Sequence, residues 1–360
     1  MSPTPGQPLE ALDSPQLLID LDVLDSNLDR MRQQLRGRSV VLRVHFKSLK
    51  CGGLARYLVE RGVKHFLCAK LNEAEILADV GLRDIFIGNQ IVGERKLRRL
   101  AKLASRAMVG VCVDDGDNIN QMSRAAVEQG VQIGVLVEVN IGMNRCGVEP
   151  GEAALELARH AHSSPGLHFV GLQGYDGHLQ LLADAGERRA KSMEAAQRLV
   201  VTRRMIEAAG IPVEVVTGAG TGTGEWVGAE PGITEIQPGS FLLMDSAYHA
   251  VRPEFGCSLS VLATVISRSS GWYVLDAGSK AISRDFGMPL VKNRPSDKVV
   301  KLSEEHTRVD CDDSAIRVGS RVEIIPTHCC ATMNLHRNCV GTRDGRVEAY
   351  WPIEASGRYD

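Results

Sequence analysis

Lys47 lies in the stretch LRVHFKSLKC, residues 42 to 51, just beyond an apolar run that has the composition of a strand. A lysine amine can form a covalent bond to an aldehyde, which makes lysine a usual nucleophile toward carbonyl compounds. The alternative is a solvated surface lysine, because a second lysine, Lys50, follows nearby and clusters of basic residues usually lie on solvated faces. The choice depends on what occupies equivalent positions along the chain.

A second candidate site is the stretch PTHCCATMNLH, residues 326 to 336, in which His328 and Cys330 are two positions apart. In an extended segment the two side chains share one face. Imidazole and thiolate are donors that suit zinc, although a buried cysteine without a ligand role is a common alternative. The pair predicts a metal site, although a single His-x-Cys motif is weak evidence for one.

Composition and charge restrict the partners of the chain. Its 360 residues are 44% hydrophobic and 24% charged, as in ordinary soluble domains. A formal net charge of -2 and 4% aromatic residues favour neither nucleic acid nor a membrane surface as partner. Nine cysteines in a long chain, without a signal-peptide pattern, predict a reduced, cytoplasmic protein.

Eight short apolar or β-branched runs alternate with segments of helical periodicity. Such alternation indicates parallel βαβ units, and eight units favour a closed (β/α)8 barrel. An open doubly wound sheet is the alternative, but no Gly-x-Gly-x-x-Gly follows the first run. The predicted strands are 40–44, 65–69, 84–88, 107–113, 133–139, 168–174, 213–217 and 233–237.

The pattern changes after Ser258, where strand-like runs follow one another with little helical periodicity. We therefore predict a barrel domain over residues 28–250 and a β-rich domain formed by residues 1–27 and 251–360. The early segment PQLLIDLDVL is expected to pair with the first barrel strand, since chain termini are often fixed in this way.

In a barrel, the functional residues gather at the C-terminal ends of the strands. The loops after the seventh and eighth strands commonly bind phosphate through backbone N–H groups. Here they are Thr217–Gly224 and Pro238–Ser240. The strand ends carry Lys47, Lys70, Asn89, Asp114, Asn140 with Arg145, and Tyr175 with His178.

A phosphate-binding loop and a lysine at one rim together indicate pyridoxal 5'-phosphate. The lysine amine would hold the aldehyde of the cofactor, and the loops would hold its phosphate. The residues that this argument predicts to bind the cofactor are Lys47, Thr217, Gly218, Gly220, Thr221, Gly239 and Ser240.

The chain resembles the D-threonine aldolase and D-serine dehydratase family, the fold-type III pyridoxal-phosphate enzymes with an alanine-racemase-like barrel and a β domain. RVHFKSLK is similar to the cofactor-lysine motif of that family. The resemblance runs from about Ser14 to the C-terminus and is closest to the aldolase branch. Further similar blocks are VEVNIGMNRCGV, GLQGYDGH, VTGAGTGT, TEIQPGSFLLMD, LDAGSKAIS and PTHCCATMNLH.

The resemblance implies roles for individual residues. Arg145 would face the pyridine nitrogen, which then stays unprotonated because a guanidinium does not give up its proton. Tyr175 would lie beside Lys47 as a hydrogen-bonding partner. His328 and Cys330 would bind a divalent metal, zinc first, with manganese or magnesium as alternatives. A homodimer is also expected.

Two positions depart from the aldolase pattern. Cys330 stands where typical aldolases carry aspartate, as in the dehydratases. Leu181 stands where they carry a histidine thought to deprotonate the substrate hydroxyl. His178 could replace that histidine, and His306, in a block similar to one that borders the family's active site, is a weaker candidate.

Three interpretations follow. The first is an aldolase that cleaves a D-3-hydroxy amino acid to glycine and an aldehyde, with Lys47, Tyr175, His178 and His328 as its catalytic residues. The second is a dehydratase that releases a keto acid and ammonia from D-serine or D-3-hydroxyaspartate. The third, disfavoured by the metal pair, is a non-catalytic cofactor-binding barrel. We favour the aldolase.

Overall fold

The computed structural model describes residues 2–360. The chain forms two compact units. The first, which we call the barrel unit, comprises Gln34–Lys47, Ala55–Gly239 and Arg358–Asp360. The second, the β unit, comprises the segment that ends at Gln33 together with Ser48–Leu54 and Ser240–Gly357.

Seventeen strands are present in the described residues. In chain order they are β1 (Gln16–Asp20), β2 (Val41–His45), β3 (His65–Cys68), β4 (Asp84–Gln90), β5 (Met108–Val113), β6 (Ile133–Glu138), β7 (Leu167–Gly174), β8 (Val215–Gly218), β9 (Glu235–Ile236), β10 (Leu259–Ser269), β11 (Trp272–Leu275), β12 (Leu290–Val291), β13 (Lys298–Leu302), β14 (Thr307–Asp310), β15 (Arg321–Ile325), β16 (Asn338–Arg343) and β17 (Arg346–Pro352).

Ten α-helices connect or flank these strands within residues 2–360. They are α1 (Leu21–Gln34), α2 (Gly52–Glu60), α3 (Leu71–Asp79), α4 (Glu94–Ala104), α5 (Gly116–Gln129), α6 (Glu152–Ser163), α7 (Ala185–Ala208), α8 (Gly224–Val227), α9 (Ser246–Val251) and α10 (Cys329–Leu335). No helix among the described residues is both long enough and apolar enough to cross a membrane.

Strands β2 to β9 form a closed parallel barrel in chain order, which confirms the predicted fold. Closure occurs where Val41 and Leu42 of β2 pair with Glu235 and Ile236 of β9. The last strand has only two residues, and Pro238, which has no amide hydrogen, lies two positions beyond its end. Buried side chains in the barrel include the cluster Leu67, Phe86, Cys112 and Leu136.

The β unit contains a nine-stranded sheet, of which the main path is β13-β14-β11-β10-β1-β16-β17. Strand β1 pairs antiparallel with β10 and parallel with β16. The expectation that this early segment pairs with the first barrel strand was therefore wrong. Its Leu17, Leu18 and Ile19 are all buried. In the sheet the backbone of β1 forms hydrogen bonds on both sides, whereas a closed barrel has no free strand edge with which it could pair.

Candidate active site

Lys47 lies in a 3₁₀ turn, Phe46–Ser48, that follows directly on β2. The backbone N–H of Lys47 donates to Nδ1 of His45 at 3.4 Å. Burial lowers the pKa of His45 well below its usual value, and the charges of Lys47 and Arg145 lower it further. His45 is therefore a neutral acceptor that fixes the backbone from which Lys47 extends.

A cavity of about 250 Å³ opens at this end of the barrel. It brings together Lys47, Arg145 and Tyr175, which lie far apart in the sequence. The Lys47 Nζ atom is 5.3 Å from the centre of the Tyr175 ring, and the Arg145 Cζ atom is 5.6 Å from it. The remaining lining residues are His45, Leu67, Ala69, Gly88, Asn89, Gln90, Glu138, Cys146, Gln173 and Gln237.

The side chain of Asn140 helps to shape the loop that carries Arg145. Asn140 Oδ1 accepts hydrogen bonds from the backbone N–H groups of Gly142 at 3.1 Å and Asn144 at 3.0 Å. Asn144 has a φ of 52°, a conformation that asparagine tolerates better than most residues. The tight turn presents the next residue, Arg145, to the cavity.

Three buried polar residues of the cavity were missed by the sequence analysis. All three were assigned only to strands. Gln237 ends the run ITEIQ, which contains other polar residues, whereas Glu138 and Gln173 are each the single polar residue near the end of the apolar runs VLVEV and GLQG. That exception within an apolar run was the available signal. Burial raises the pKa of Glu138 to about 7, although the Cys112 thiol and Arg145 act in the opposite direction.

The glycine-rich loop after β8 follows the side chain and backbone of Gln180. A Cβ at Gly222 would overlap the Gln180 backbone oxygen, so the close approach requires glycine there, whereas a Cβ at Gly220 would meet the end of the Gln180 side chain. Gln180 Oε1 accepts from the Gly222 N–H at 2.9 Å. Thr217, Gly218, Gly220 and Thr221, all predicted to bind the cofactor, are buried in this loop or at the end of β8.

The predicted metal pair lies in the β unit. His328 occupies the N-cap position of α10, and Cys330 lies in its first turn. The expectation of an extended segment was therefore wrong, because Asp245 Oδ2 accepts from the Cys329 N–H at 2.8 Å and fixes the start of a helix there. The two side chains still meet, since a hydrogen bond joins His328 to Cys330.

Further contacts surround this pair. Nδ1 of His328 is 2.8 Å from Asp285 Oδ2, and its ring centre is 4.9 Å from that of Phe286. The Oγ atom of Ser240, predicted to bind the cofactor, is 3.8 Å from Cys330 Sγ. No set of three or more His, Cys, Asp or Glu side chains in residues 2–360 could hold a metal ion. His328 and Cys330 therefore remain the two predicted donors, and two protein donors would leave positions for water or substrate on a metal.

The candidate bases lie elsewhere. His178 is exposed and is not part of the cavity lining; a Cβ at Gly142 would be 3.1 Å from its Nε2 atom. Partial burial and the charges of Arg198 and Lys191 lower the pKa of His178, so its ring is neutral near pH 7. Leu181 is half-buried in the barrel unit, and His306 is exposed in the β unit.

These donors fit pyridoxal phosphate and a divalent metal. The cavity holds one lysine amine for the aldehyde and one guanidinium for a ring nitrogen. Gln237, which lines the cavity, donates to Thr217 at the start of the glycine-rich loop. An imidazole and a thiol in contact fit a borderline metal such as zinc.

Comparison with known proteins agrees with this geometry. Residues 19–247 match the model of the alanine racemase N-terminal domain, and residues 258–342 match a putative serine dehydratase domain. The chain is 37% identical to D-threonine aldolase of Arthrobacter sp., over 98% of this chain and 95% of the relative. It is 34% identical, over the same fractions, to 3-hydroxy-D-aspartate aldolase of Paracoccus denitrificans (strain Pd 1222).

Solved structures extend the likeness. The crystal structure of D-threonine aldolase from Filomicrobium marinum superposes with a TM-score of 0.96 at 38% identity, covering 99% of both chains. D-threo-3-hydroxyaspartate dehydratase from Delftia sp. HT23 gives a TM-score of 0.86 at 26% identity, over 96% of this chain and 99% of that one. The resemblance seen in the sequence is confirmed: the chain belongs to the D-threonine aldolase and D-serine dehydratase family of pyridoxal-phosphate lyases.

Proposed function

We propose that this chain is an aldolase that depends on pyridoxal phosphate and a divalent metal and cleaves the Cα–Cβ bond of D-3-hydroxy amino acids. The products are glycine and an aldehyde. The observation that carries the proposal is the likeness to D-threonine aldolases over nearly the whole chain, at 37% identity in sequence and a TM-score of 0.96 in structure.

Lys47 would hold the cofactor covalently. Arg145 would donate to the ring nitrogen, and Tyr175 would lie against the ring and Lys47. Thr217, Gly218, Gly220, Thr221, Gly239 and Ser240 would bind the phosphate. When bound, pyridoxal phosphate withdraws electrons from the substrate Cα, which is what allows the bond to Cβ to break. Because the Arg145 guanidinium keeps its proton, the ring nitrogen would stay unprotonated, and an unprotonated ring withdraws electrons less strongly.

His328 and Cys330 would hold the metal, for which zinc fits the thiolate best, with manganese or magnesium as alternatives. The metal would supply a Lewis acid for the substrate hydroxyl. In the cleavage the hydroxyl loses its proton and Cα gains one. Tyr175, in contact with Lys47, is the proposed group for proton movement at Cα, and His178 the proposed base for the hydroxyl.

A dehydratase is the second candidate, and Cys330 is the observation that favours it. The His-x-Cys pair is the one expected in dehydratases, and D-threo-3-hydroxyaspartate dehydratase of Delftia sp. is 28% identical over 90% of this chain. The greater identity to aldolases leads us to place the dehydratase second.

Product analysis separates the two candidates. The purified protein, loaded with pyridoxal phosphate and zinc, would be incubated with D-threonine, D-3-hydroxyaspartate and D-serine. The aldolase gives glycine and an aldehyde from the first two substrates. Keto acid and ammonia without glycine would establish the dehydratase and reject the aldolase.

We also propose that the protein is a cytoplasmic homodimer. The family resemblance supports the dimer, and a reducing compartment agrees with nine cysteines that form no disulfide in the described residues. Light scattering on the purified protein would measure a mass close to twice 39.1 kDa for a dimer.

A further inference from the structure

Four buried polar side chains form a continuous hydrogen-bonded path across the barrel, which we call the amide relay: Glu138, Gln173, Gln237 and Thr217. Gln173 Nε2 donates to Glu138 Oε2 at 2.7 Å. Gln237 Nε2 donates to Gln173 Oε1 at 3.1 Å and to Thr217 Oγ1 at 2.9 Å. All four residues are less than 6% exposed, so their hydrogen bonds are largely shielded from bulk water.

The barrel register places the relay in one layer. Glu138 of β6 is the direct register partner of Gln173 of β7, and Gln173 is the partner of Thr217 of β8. Gln237 follows β9 immediately and reaches both Gln173 and Thr217. Neighbouring positions in register on parallel strands face the same side, so the path crosses successive strands.

The relay has one direction, and Glu138 sets it. Oε2 of Glu138 accepts from the Gln173 NH2 group, and the ionised carboxylate, which dominates above its pKa of about 7, can only accept. Gln173 therefore turns its carbonyl toward Gln237. Gln237 must then present its own NH2 group, which also reaches Thr217 Oγ1. Because Thr217 accepts that hydrogen bond, its hydroxyl proton is left for another acceptor.

The two ends of the relay lie at two different parts of the candidate cofactor site. At one end, the charge of Arg145 acts on Glu138, and both residues line the cavity that holds Lys47. At the other end, Thr217 begins the glycine-rich loop proposed for the phosphate. A buried hydrogen-bonded network of this kind fixes the orientation of each member more strongly than an isolated pair does.

We propose that Glu138 is a positioning residue that, through Gln173 and Gln237, turns the Thr217 hydroxyl into a hydrogen-bond donor for the cofactor phosphate. This inference rests on the proposed pyridoxal-phosphate site. It assigns to Glu138 an effect on the phosphate end of the cofactor, although Glu138 itself lies beside Arg145, the residue proposed for the ring nitrogen.

The test compares pyridoxal phosphate with pyridoxal, which lacks the phosphate, in titrations of the cofactor-free full-length chain followed by absorbance. The measured quantity is the phosphate preference, the Kd of pyridoxal divided by the Kd of pyridoxal phosphate. Thr217→Val removes the hydroxyl at nearly constant volume and should lower the preference by about tenfold, the typical loss of one hydrogen bond to a charged group. Thr217→Ser keeps the hydroxyl and should retain the preference.

Glu138→Gln replaces the acceptor by an amide that can donate as well, so the direction of the relay is no longer imposed. The variant should lower the phosphate preference by about threefold or more in the wild-type background, a fraction of one such hydrogen bond. In the Thr217→Val background the same change should have almost no effect on the preference. In a Thr221→Val background, which alters the loop outside the relay, the full effect should persist.

Equal weakening of both ligands by Glu138→Gln, or the same loss of preference with and without the Thr217 hydroxyl, would overturn the inference while leaving the cofactor site intact. Failure of the wild-type chain to bind either ligand would instead reject the proposed function, and this inference with it. If Glu138→Gln does not fold, Gln237→Leu interrupts the relay at its centre and is subject to the same comparison.

Discussion

The Nδ1 atom of His328 lies 2.8 Å from the Oδ2 atom of Asp285. An imidazole that donates its Nδ1 proton to a carboxylate has its Nε2 lone pair available as a metal ligand, and the carboxylate makes that nitrogen a better donor. Asp285 is 43 residues away from His328 in the sequence, in the loop between β11 and β12. It is therefore expected to orient His328 for metal binding.

Replacing Asp285 should weaken metal binding without removing a ligand. Asp285→Ala is expected to raise the Kd for zinc by about 10- to 100-fold, the usual effect of losing a partner of a metal-bound histidine. Asp285→Asn, which can still accept the hydrogen bond, should lie between this variant and the wild type. Competition with a chromogenic chelator measures the Kd for zinc. The matched control is Glu305→Gln, which alters an exposed carboxylate paired with Lys280 and should leave this Kd unchanged. An unchanged Kd in Asp285→Ala would mean that Asp285 does not orient the ligand.

The identity of residue 330 should set the choice of metal. Cys330→Asp exchanges a soft thiolate for a hard carboxylate, so relative affinity should shift from zinc toward manganese and magnesium. A carboxylate also donates less charge than a thiolate, which should leave the metal a stronger Lewis acid for the substrate hydroxyl. Metal titrations of the apo-protein, with zinc and manganese compared in both forms, measure the shift. An unaltered zinc preference would place Cys330 outside the coordination sphere.

The base that serves the substrate hydroxyl is tested by two substitutions. His178→Ala is expected to lower the rate of glycine formation by about 10²-fold, a typical loss for a general base, while the affinity for pyridoxal phosphate persists. Leu181→His restores the histidine typical of aldolases and should recover part of the rate in the His178→Ala background. Full activity of His178→Ala would exclude His178, whose exposed ring lies outside the cavity lining.

Asp176 should make the stability of the cofactor-free protein depend on pH. Burial raises the pKa of this carboxyl from 3.8 to about 6, although hydrogen bonds from Thr223 and Gln180 oppose the shift. Because the folded state holds the proton more tightly, the stabilising effect is complete below about pH 4 and is lost as the pH rises through about 6. The free energy of unfolding, measured by urea denaturation, should therefore fall relative to that of Asp176→Asn by about 3 kcal/mol between pH 4 and 7. A difference between the two proteins that does not change with pH would contradict the assignment. Glu138 is present in both proteins, so its own titration cancels in the comparison.

The barrel was predictable from the sequence because most of its strands are apolar or β-branched runs bounded by glycine, proline or a polar residue, and because eight such runs close a barrel. The helix that contains Cys330 could not be predicted from local sequence. Its start is fixed by Asp245, which is distant in the chain and accepts a hydrogen bond from the Cys329 N–H. Gln173 and Gln237 show the same limit, since an amide in a strand acquires its role only from the register that brings four strands together. The role of Asp285 could not be predicted either, because only the folded chain brings Asp285 next to His328.

Cofactor attachment at Lys47 is the central claim, and reduction with borohydride followed by peptide mapping tests it most directly. The holoenzyme should show the visible absorbance of a lysine-bound pyridoxal, which borohydride abolishes while fixing the cofactor irreversibly to one side chain. We predict that the label is found on Lys47 and that Lys47→Ala abolishes both the absorbance and the label. Labelling of Lys50 or Lys70, or a purified protein that takes up no pyridoxal phosphate, would contradict the account.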